Sequence, residues 1–172
     1  IGVNPIRTGY NAVADDWLGI TPGTDGLLIL ALIHCLLEAG KIDLNYLAQW
    51  TNSAFLLDET EGPTKGLFVR NAESQPFVID RRTGMPASWD AKGVQPDLGA
   101  VWQGHRTVFQ HLAERYLSPD HAPEAVADRV GIPARRIREL AAELARVAFD
   151  EAIVLDQPWT DFRGNAHATM VG

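Results

Sequence analysis

Only one cysteine, Cys35, occurs in the 172 residues, which excludes a disulfide within the chain and any Cys-x-x-Cys site for a metal or cluster. Cysteine usage leaves the compartment unread, and the cytoplasm stands as the default expectation. Positive charge is short as well: 15 Lys and Arg face 22 Asp and Glu, a formal net charge of -7. That balance disfavours nucleic acid as a partner, because such binding rests on Lys and Arg neutralising phosphates. No apolar run is long. The longest, Leu27 to Leu37, falls well below the roughly 20 residues that span a bilayer, so it reads as a buried helix. There is no internal repeat, no low-complexity segment and no Gly-x-Ser-x-Gly elbow, and Gly93 to Gly99 forms no phosphate loop.

The titratable residues show no metal or dyad spacing either. His34, His105, His111, His121 and His167 contain no His-x-x-x-His or Glu-x-x-His pattern. His105 and His111 fall on different faces of one expected helix, so structural or surface roles are expected for the set. Asp15 and Asp16 are adjacent and point apart, which argues against a shared proton. Cys35, inside the apolar run, reads as a core residue.

What is present is a globular composition, 46% hydrophobic, with the length of one domain. The chain opens at Ile1 and closes at Gly172 in mid-pattern, so an internal piece of a longer polypeptide is expected. Ile1-Gly2-Val3 reads as a strand ended by Asn4-Pro5, since proline cannot donate to a ladder. A loop follows to Ile20, in which Asp15-Asp16-Trp17-Leu18 touches the sheet again. Pro22-Gly23 punctuates, Thr24 or Asp25 is placed to cap a helix through Leu37, and Gly40 stops it. Asp43 caps a second helix, Leu44 to Trp50.

From Ala54 to Val101 short apolar runs (Phe55-Leu57, Gly66-Val69, Pro76-Ile79) predict small strands or hairpins. Helical spacing returns at His105 with Val108, Phe109, Leu112, Ala113 and Tyr116. Pro123 opens a helix to Val130, Gly131-Ile132-Pro133 breaks it, and a further helix follows. On that helix Ile137, Leu140, Ala141, Leu144 and Ala148 form an apolar stripe, while Arg135, Arg138, Glu139 and Glu143 face water. Ala152 to Leu155 reads as a strand. The expectation is an α/β class with a small β-hairpin insertion and a helical hairpin, organised as one partial domain: 1–52 strand, loop and helix, 53–104 insertion, 105–150 helical, 151–172 strand and tail.

Two segments carry the candidate chemistry. Asn4-Pro5 with Arg7 ends a strand, and Pro22-Gly23-Thr24-Asp25 opens a helix. In nucleotide-binding α/β folds, strand ends and helix N-termini contact the ligand, because free amides and the positive dipole end suit phosphate. A carboxylate there suits guanine, whose N1–H and exocyclic amine form a two-donor edge. Asp25 is placed for that role, and Arg7 to neutralise a diphosphate or stack on a base. Three plainer alternatives stand beside it: Thr24 or Asp25 as a mere helix cap, Arg7 as a solvated loop residue, and Asn4 in an Asx turn. On the plainer reading the chain is a non-catalytic α/β interaction domain. A further alternative is a DNA-binding helix-turn-helix at 123–148, with Arg135, Arg136 and Arg138 near the start of its second helix. Its plainer counterpart is a hairpin packed on a sheet with arginines snorkelling to water.

The stretch Val3-Asn4-Pro5-Ile6-Arg7-Thr8, Ala14-Asp15, Ile20-Thr21-Pro22-Gly23-Thr24-Asp25-Gly26-Leu27 and His34 to Gly40 resembles the catalytic subunits of the dimethyl sulfoxide reductase family of molybdopterin oxidoreductases. Asp43 to Thr51 and the segment from Gly131-Ile132-Pro133 through Ala145 are similar to later motifs of the same family. The resemblance implies a Rossmann-like domain that holds the guanosine end of one of two molybdopterin guanine dinucleotides, with molybdenum or tungsten at the far end. It implies that Gly23 and Asp25 contact the guanine, and that Asn4, Pro5 and Arg7 lie over the ribose and diphosphate.

Two positions depart from the family pattern: Asn4 replaces its Asp, and Ile6 its Arg, with Arg7 one place late. A 4Fe-4S cluster, the metal ligand and a downstream cofactor domain are expected outside these residues, so the piece alone would be inactive and no catalytic residue can be named in it. The implied partners are a small-molecule substrate and two further subunits, one for iron-sulfur electron transfer and one linked to a membrane quinone. Within the family, the loop Ser53 to Val101 and the tail Trp159-Thr160-Asp161-Phe162 resemble the sulfite dehydrogenase branch more than periplasmic nitrate reductases; formate dehydrogenase-like or nitrate reductase-like chemistry is the other expectation.

Overall fold

The computed structural model describes residues 1–161 and 164–171. In chain order the elements are β1 (Gly2–Val3), β2 (Trp17–Leu18), α1 (Asp25–Glu38), α2 (Leu44–Trp50), β3 (Phe77–Asp80), β4 (Met85–Ser88), β5 (Val101–Trp102), β6 (His105–Arg106), α3 (Val108–Tyr116), α4 (Pro123–Val130), α5 (Ala134–Ala145), β7 (Val154–Leu155), β8 (Trp159–Thr160), β9 (Ala166–His167) and β10 (Met170–Val171). They form two compact units, Ile1–Lys41 with Pro119–Gly172, and Ile42–Ser118.

In the first unit β1 and β2 pair in parallel, Gly2 opposite Trp17 and Val3 opposite Leu18. The connection between them runs through a 3-10 turn, Gly9–Ala12. α1 leaves the end of β2 with Leu28, Ala31, Leu32 and Cys35 buried on one face, the three- and four-residue spacing that puts side chains on a single helical stripe. It stops where Gly40 N–H bonds to Leu37 O and Lys41 N–H to Leu36 O, the paired bonds that satisfy the last carbonyls of a helix.

The α1 stripe packs on α4 and α5, where Val126, Val130 and Ile137 are fully buried. Each such side chain contributes roughly 1.5–3 kcal/mol, whereas exposed ion pairs contribute about 0–1 kcal/mol. The core, rather than surface charge, therefore holds the three helices together. On α5 the buried row is Ile137, Leu140, Ala141 and Ala145. The expected stripe through Leu144 and Ala148 is displaced, because a four-residue row from Ile137 runs through Ala141 to Ala145. Beyond Ala145 the helix widens into a π turn, Arg146–Asp150. Leu144, 46% exposed, instead joins Ile1, Val3 and Val147 along an open apolar groove.

α4 opens on Pro123 and ends at Gly131, whose φ of +77° is left-handed. Thr21 N–H donates to Val130 O at 2.8 Å, and a Cβ on Gly131 would lie 2.8 Å from Thr21 Oγ1. Both the backbone conformation and the space demand glycine here.

The second unit is built on short pairings. β3 and β4 form an antiparallel hairpin from Phe77 opposite Ser88 to Asp80 opposite Met85. Phe77 and Ile79 point into one cluster with Leu56 and Ala100, and Val78 into another with Ala54 and Leu98. This is the period-two alternation of a strand buried on both faces. The runs Phe55-Leu57 and Gly66-Val69, read as strands, pair only through single bridges, Leu56 with Thr107 and Leu57 with Phe68.

The helix expected from His105 begins later, at Val108. Gln103 and Gly104 both have positive φ, which suits a two-residue hairpin turn and pairs His105 and Arg106 as β6 with β5. Thr107 and Gln110 then close a capping box that fixes the helix start. In the tail, the strand read at Ala152 to Leu155 is Val154–Leu155 paired with β10, and β8 pairs with β9. Phe162, the last residue of the tail motif, lies outside the described residues.

Gly131→Ala is expected to destabilise the first unit by about 1–2 kcal/mol from its left-handed backbone alone, with an added cost from Thr21. Urea denaturation of Gly131→Ala, Thr21→Ala and the double variant checks this. The double variant should recover the contact part and keep the backbone part, so the two losses should not add.

Candidate functional site

The two segments singled out by sequence emerge from the same edge of the sheet. β1 and β2 run parallel, so Asn4-Pro5 and the loop leading to Pro22-Gly23-Thr24-Asp25 both follow carboxyl ends of strands. That edge is where ligands meet open parallel sheets. Asn4 N–H donates to Leu18 O at 3.2 Å, and Asn4 O accepts from Trp17 Nε1 at 2.9 Å. Beyond this anchor Pro5, Ile6, Arg7 and Thr8 are exposed. Among the described residues the Arg7 guanidinium forms no ion pair.

The second segment departs from the plain cap reading. Thr24 occupies the N-cap position of α1, but no side chain caps the first amides. The Thr24 hydroxyl instead donates to Thr21 O at 2.7 Å, so it braces the loop, and Asp25 in the first turn makes no side-chain hydrogen bond or ion pair among the described residues. Asp25 is exposed, as are Pro22 and Gly23. Gly23 has φ +79°, and a Cβ on it would meet nothing within 4 Å. The glycine is required by its turn conformation, and the space beside it is open. A carboxylate at a helix N-terminus is stabilised by the dipole and offers only acceptors. The arrangement can therefore accept two parallel N–H donors, while Arg7 supplies a positive charge on the other segment that leaves the same edge.

The support behind the loop comes from residues that sequence reading assigned to other roles. Arg136 of α5 pairs with Asp16 and, at 3.3 Å, with Glu139. Arg138 bonds Glu124 at 2.8 Å and Glu38 at 3.1 Å, and Arg135 pairs with Glu139 at 3.0 Å. The arginines of the helix-turn-helix alternative are thus committed to carboxylates. The turn between its helices is packed on Thr21. Asp16 does not act with Asp15: its Oδ1 accepts Trp17 N–H at 2.8 Å. Cys35 sits in the α1 core, where burial pushes its thiol above the ordinary value.

The second unit gathers a polar cluster that the sequence spacing concealed. Arg106 holds Glu59 at 3.1 Å and Glu114 at 2.8 Å, and His111 Nε2 lies 3.3 Å from Glu59. His105 Nδ1 accepts Glu59 N–H at 3.2 Å. His105 and His111, expected on one helix, stand on β6 and α3 and meet around Asp58 and Glu59. Hydrogen bonds from Arg106 hold Glu59 at about 2. Among the described residues no group of three or more His, Cys, Asp or Glu is placed to hold a metal ion, and no helix is long and apolar enough to cross a membrane.

Comparison with known proteins adds the deciding observation. A sulfite dehydrogenase subunit of Allochromatium vinosum is 36% identical over 187 residues, an alignment that takes in 100% of this chain and 19% of that protein. The chain belongs to the molybdopterin oxidoreductase family. The putative dimethyl sulfoxide reductase catalytic subunit of Halobacterium salinarum is 29% identical across 83% of this chain and 18% of its own length. The nitrate reductase alpha chain of Bacillus subtilis is 27% identical across 66% of this chain and 10% of its own length. The chain thus spans less than a fifth of the length of these relatives. No protein-family model matches it.

The Arg138 pairings also predict a pH response. Hydrogen bonds from Arg138 hold the Glu124 carboxyl at about 2, against an ordinary 4.5. A folded value below the unfolded one gives stability that is complete above the unfolded value and is lost as pH falls through the folded one. The protection of α4 amides, taken relative to their intrinsic exchange rate at each pH, should therefore fall between pH 4.5 and about 2, and Arg138→Met should remove part of that pH dependence. An unchanged pH profile in Arg138→Met would show that the pair contributes nothing to acid stability. The pair is exposed, so the effect is small.

Proposed function

We propose that the first unit holds the guanosine end of a molybdopterin guanine dinucleotide, in a Rossmann-like arrangement, within a molybdenum or tungsten enzyme of two-electron redox chemistry. The observation that carries this reading is the exposed Asp25 carboxylate at the start of α1, without a partner among the described residues, at the carboxyl edge of two parallel strands. The residues fit the group. Asp25 accepts the N1–H and exocyclic amine of guanine together, a charge-assisted pair. Gly23 leaves room for the base to approach the backbone. Arg7, on the exposed turn after Asn4-Pro5, meets the diphosphate in place of the family's arginine one position earlier, where this chain has Ile6, 65% exposed. Pro22 and Thr24 shape the loop, Thr24 through its bond to Thr21 O.

The cofactor, when bound, supplies the metal and the electron transfer; the protein binds, orients and insulates it. Whole-chain similarity to a sulfite dehydrogenase subunit favours sulfite as the substrate class. The partners such an enzyme would use are two further subunits, one for iron-sulfur electron transfer and one linked to a membrane quinone, with the 4Fe-4S cluster of the catalytic subunit lying outside these residues.

In the intact protein, Asp25→Ala is expected to weaken the dinucleotide by about 1–3 kcal/mol, the loss of a charge-assisted hydrogen-bond pair. Guanine nucleotide released on acid denaturation and quantified per protein checks this. Unchanged nucleotide content in Asp25→Ala would overturn the assignment.

A further inference from the structure

The turn proposed to carry the diphosphate has little to hold it within its own sequence. From Pro5 to Thr8 every residue is exposed, and its local backbone bonds are Thr8 N–H to Ile6 O at 3.0 Å and Asn11 N–H to Thr8 O at 3.2 Å. Its root is held from outside at two points: Asn4 N–H donates to Leu18 O at 3.2 Å, and Trp17 holds the carbonyl side that leads into Pro5. The indole Nε1–H donates to Asn4 O at 2.9 Å, a carbonyl just past the last residue of β1 and directly before Pro5. The Trp17 ring is itself fixed in place. It folds back over Gly19, where a Cβ would come within 2.9 Å of a ring carbon. Asp16 Oδ1 takes the Trp17 backbone N–H at 2.8 Å, and the other Asp16 oxygen is held by Arg136 of α5. A continuous path thus runs from α5 through Asp16 and Trp17 to the Asn4 carbonyl.

We propose that Trp17 is a positioning residue for the diphosphate end of the nucleotide site: its indole N–H sets the Asn4-Pro5 peptide and, through it, the reach of Arg7. This rests on the guanine-site reading above. The path ends at the Asn4 side of the site and makes no bond to Pro22, Gly23 or Asp25. Loss of the indole donor should therefore separate the two ends of the ligand, leaving the base end intact.

The test uses the intact protein freed of its cofactor, with guanosine and GDP as probes in titration calorimetry. The wild type should bind both, GDP more tightly. Trp17→Phe keeps an aromatic ring and removes the donor; its GDP affinity should fall roughly three- to tenfold, the range for one lost neutral hydrogen bond, while guanosine affinity is kept. Gly19→Ala, which displaces the ring by a different route, should give the same pattern. Hydrogen exchange should rise in residues 4–8 and stay unchanged in α1. Equal losses for guanosine and GDP, an unchanged GDP affinity, or faster exchange throughout α1 would overturn the positioning role and leave the guanine reading standing. A wild type that binds neither nucleotide would overturn both.

Discussion

The hydrogen bond from Thr21 N–H to the Val130 carbonyl joins the loop after β2 to the turn between α4 and α5, and the placement of the loop that leads to Asp25 depends on it. Thr21 is one residue before Pro22, so whatever fixes Thr21 fixes the start of the loop that ends at Asp25. The contact has no slack on the other side, because Gly131 admits no Cβ against Thr21. α4 and α5 are in turn held by the buried row of α1. The helix whose first turn carries Asp25 and the hairpin that braces the preceding loop are therefore parts of one packed body. A shift of the hairpin would move the loop at its root.

Burial supplies the energy of this arrangement and charge supplies its direction. The α1, α4 and α5 interface would hold with any well-packed set of apolar side chains, and volume-conserving changes there are tolerated. The pairings of Arg136 with Asp16 and of Arg138 with Glu38 and Glu124 are exposed or half-buried. They contribute little net stability, yet each connects a different element to α5. Their value lies in register: Asp16 is tied on one side to α5 and on the other to the strand that carries Trp17.

Sequence periodicity exposed most of the first unit. α1, α4 and α5 follow apolar stripes bounded by Gly40, Pro123 and Gly131, where local chemistry and tertiary packing agree. Legibility failed where one residue chose between structures. His105 matched a helical repeat, but the positive φ of Gln103 and Gly104 turns the chain into a hairpin first, and propensity alone does not reveal that. Leu144 matched the α5 stripe and lies in an open groove, because the buried row follows Ala145. At the proposed site, Asn4, Arg7 and Asp25 are candidates named from their positions around punctuating prolines and glycines. Trp17, Asp16 and Arg136 could not be named this way, since their connection spans 120 residues between Asp16 and Arg136 and no local pattern encodes it. The adjacency of Asp16 to Trp17 in a short strand was the one available signal.

The uncommitted state of Asp25 has a consequence for which bases the loop would admit. A helix-capping Asp is spent on backbone amides and has little left to discriminate with; here no amide takes it. An ionised carboxylate only accepts hydrogen bonds. Guanine presents two donors side by side, whereas adenine would set the lone pair of its N1 against the carboxylate and leave one oxygen facing a repulsive edge. Selectivity is a difference between two binding free energies, and this side chain would act on both, drawing one purine and repelling the other. On the proposed reading, the same loop that fails as a helix cap would thereby favour guanine over adenine nucleotides.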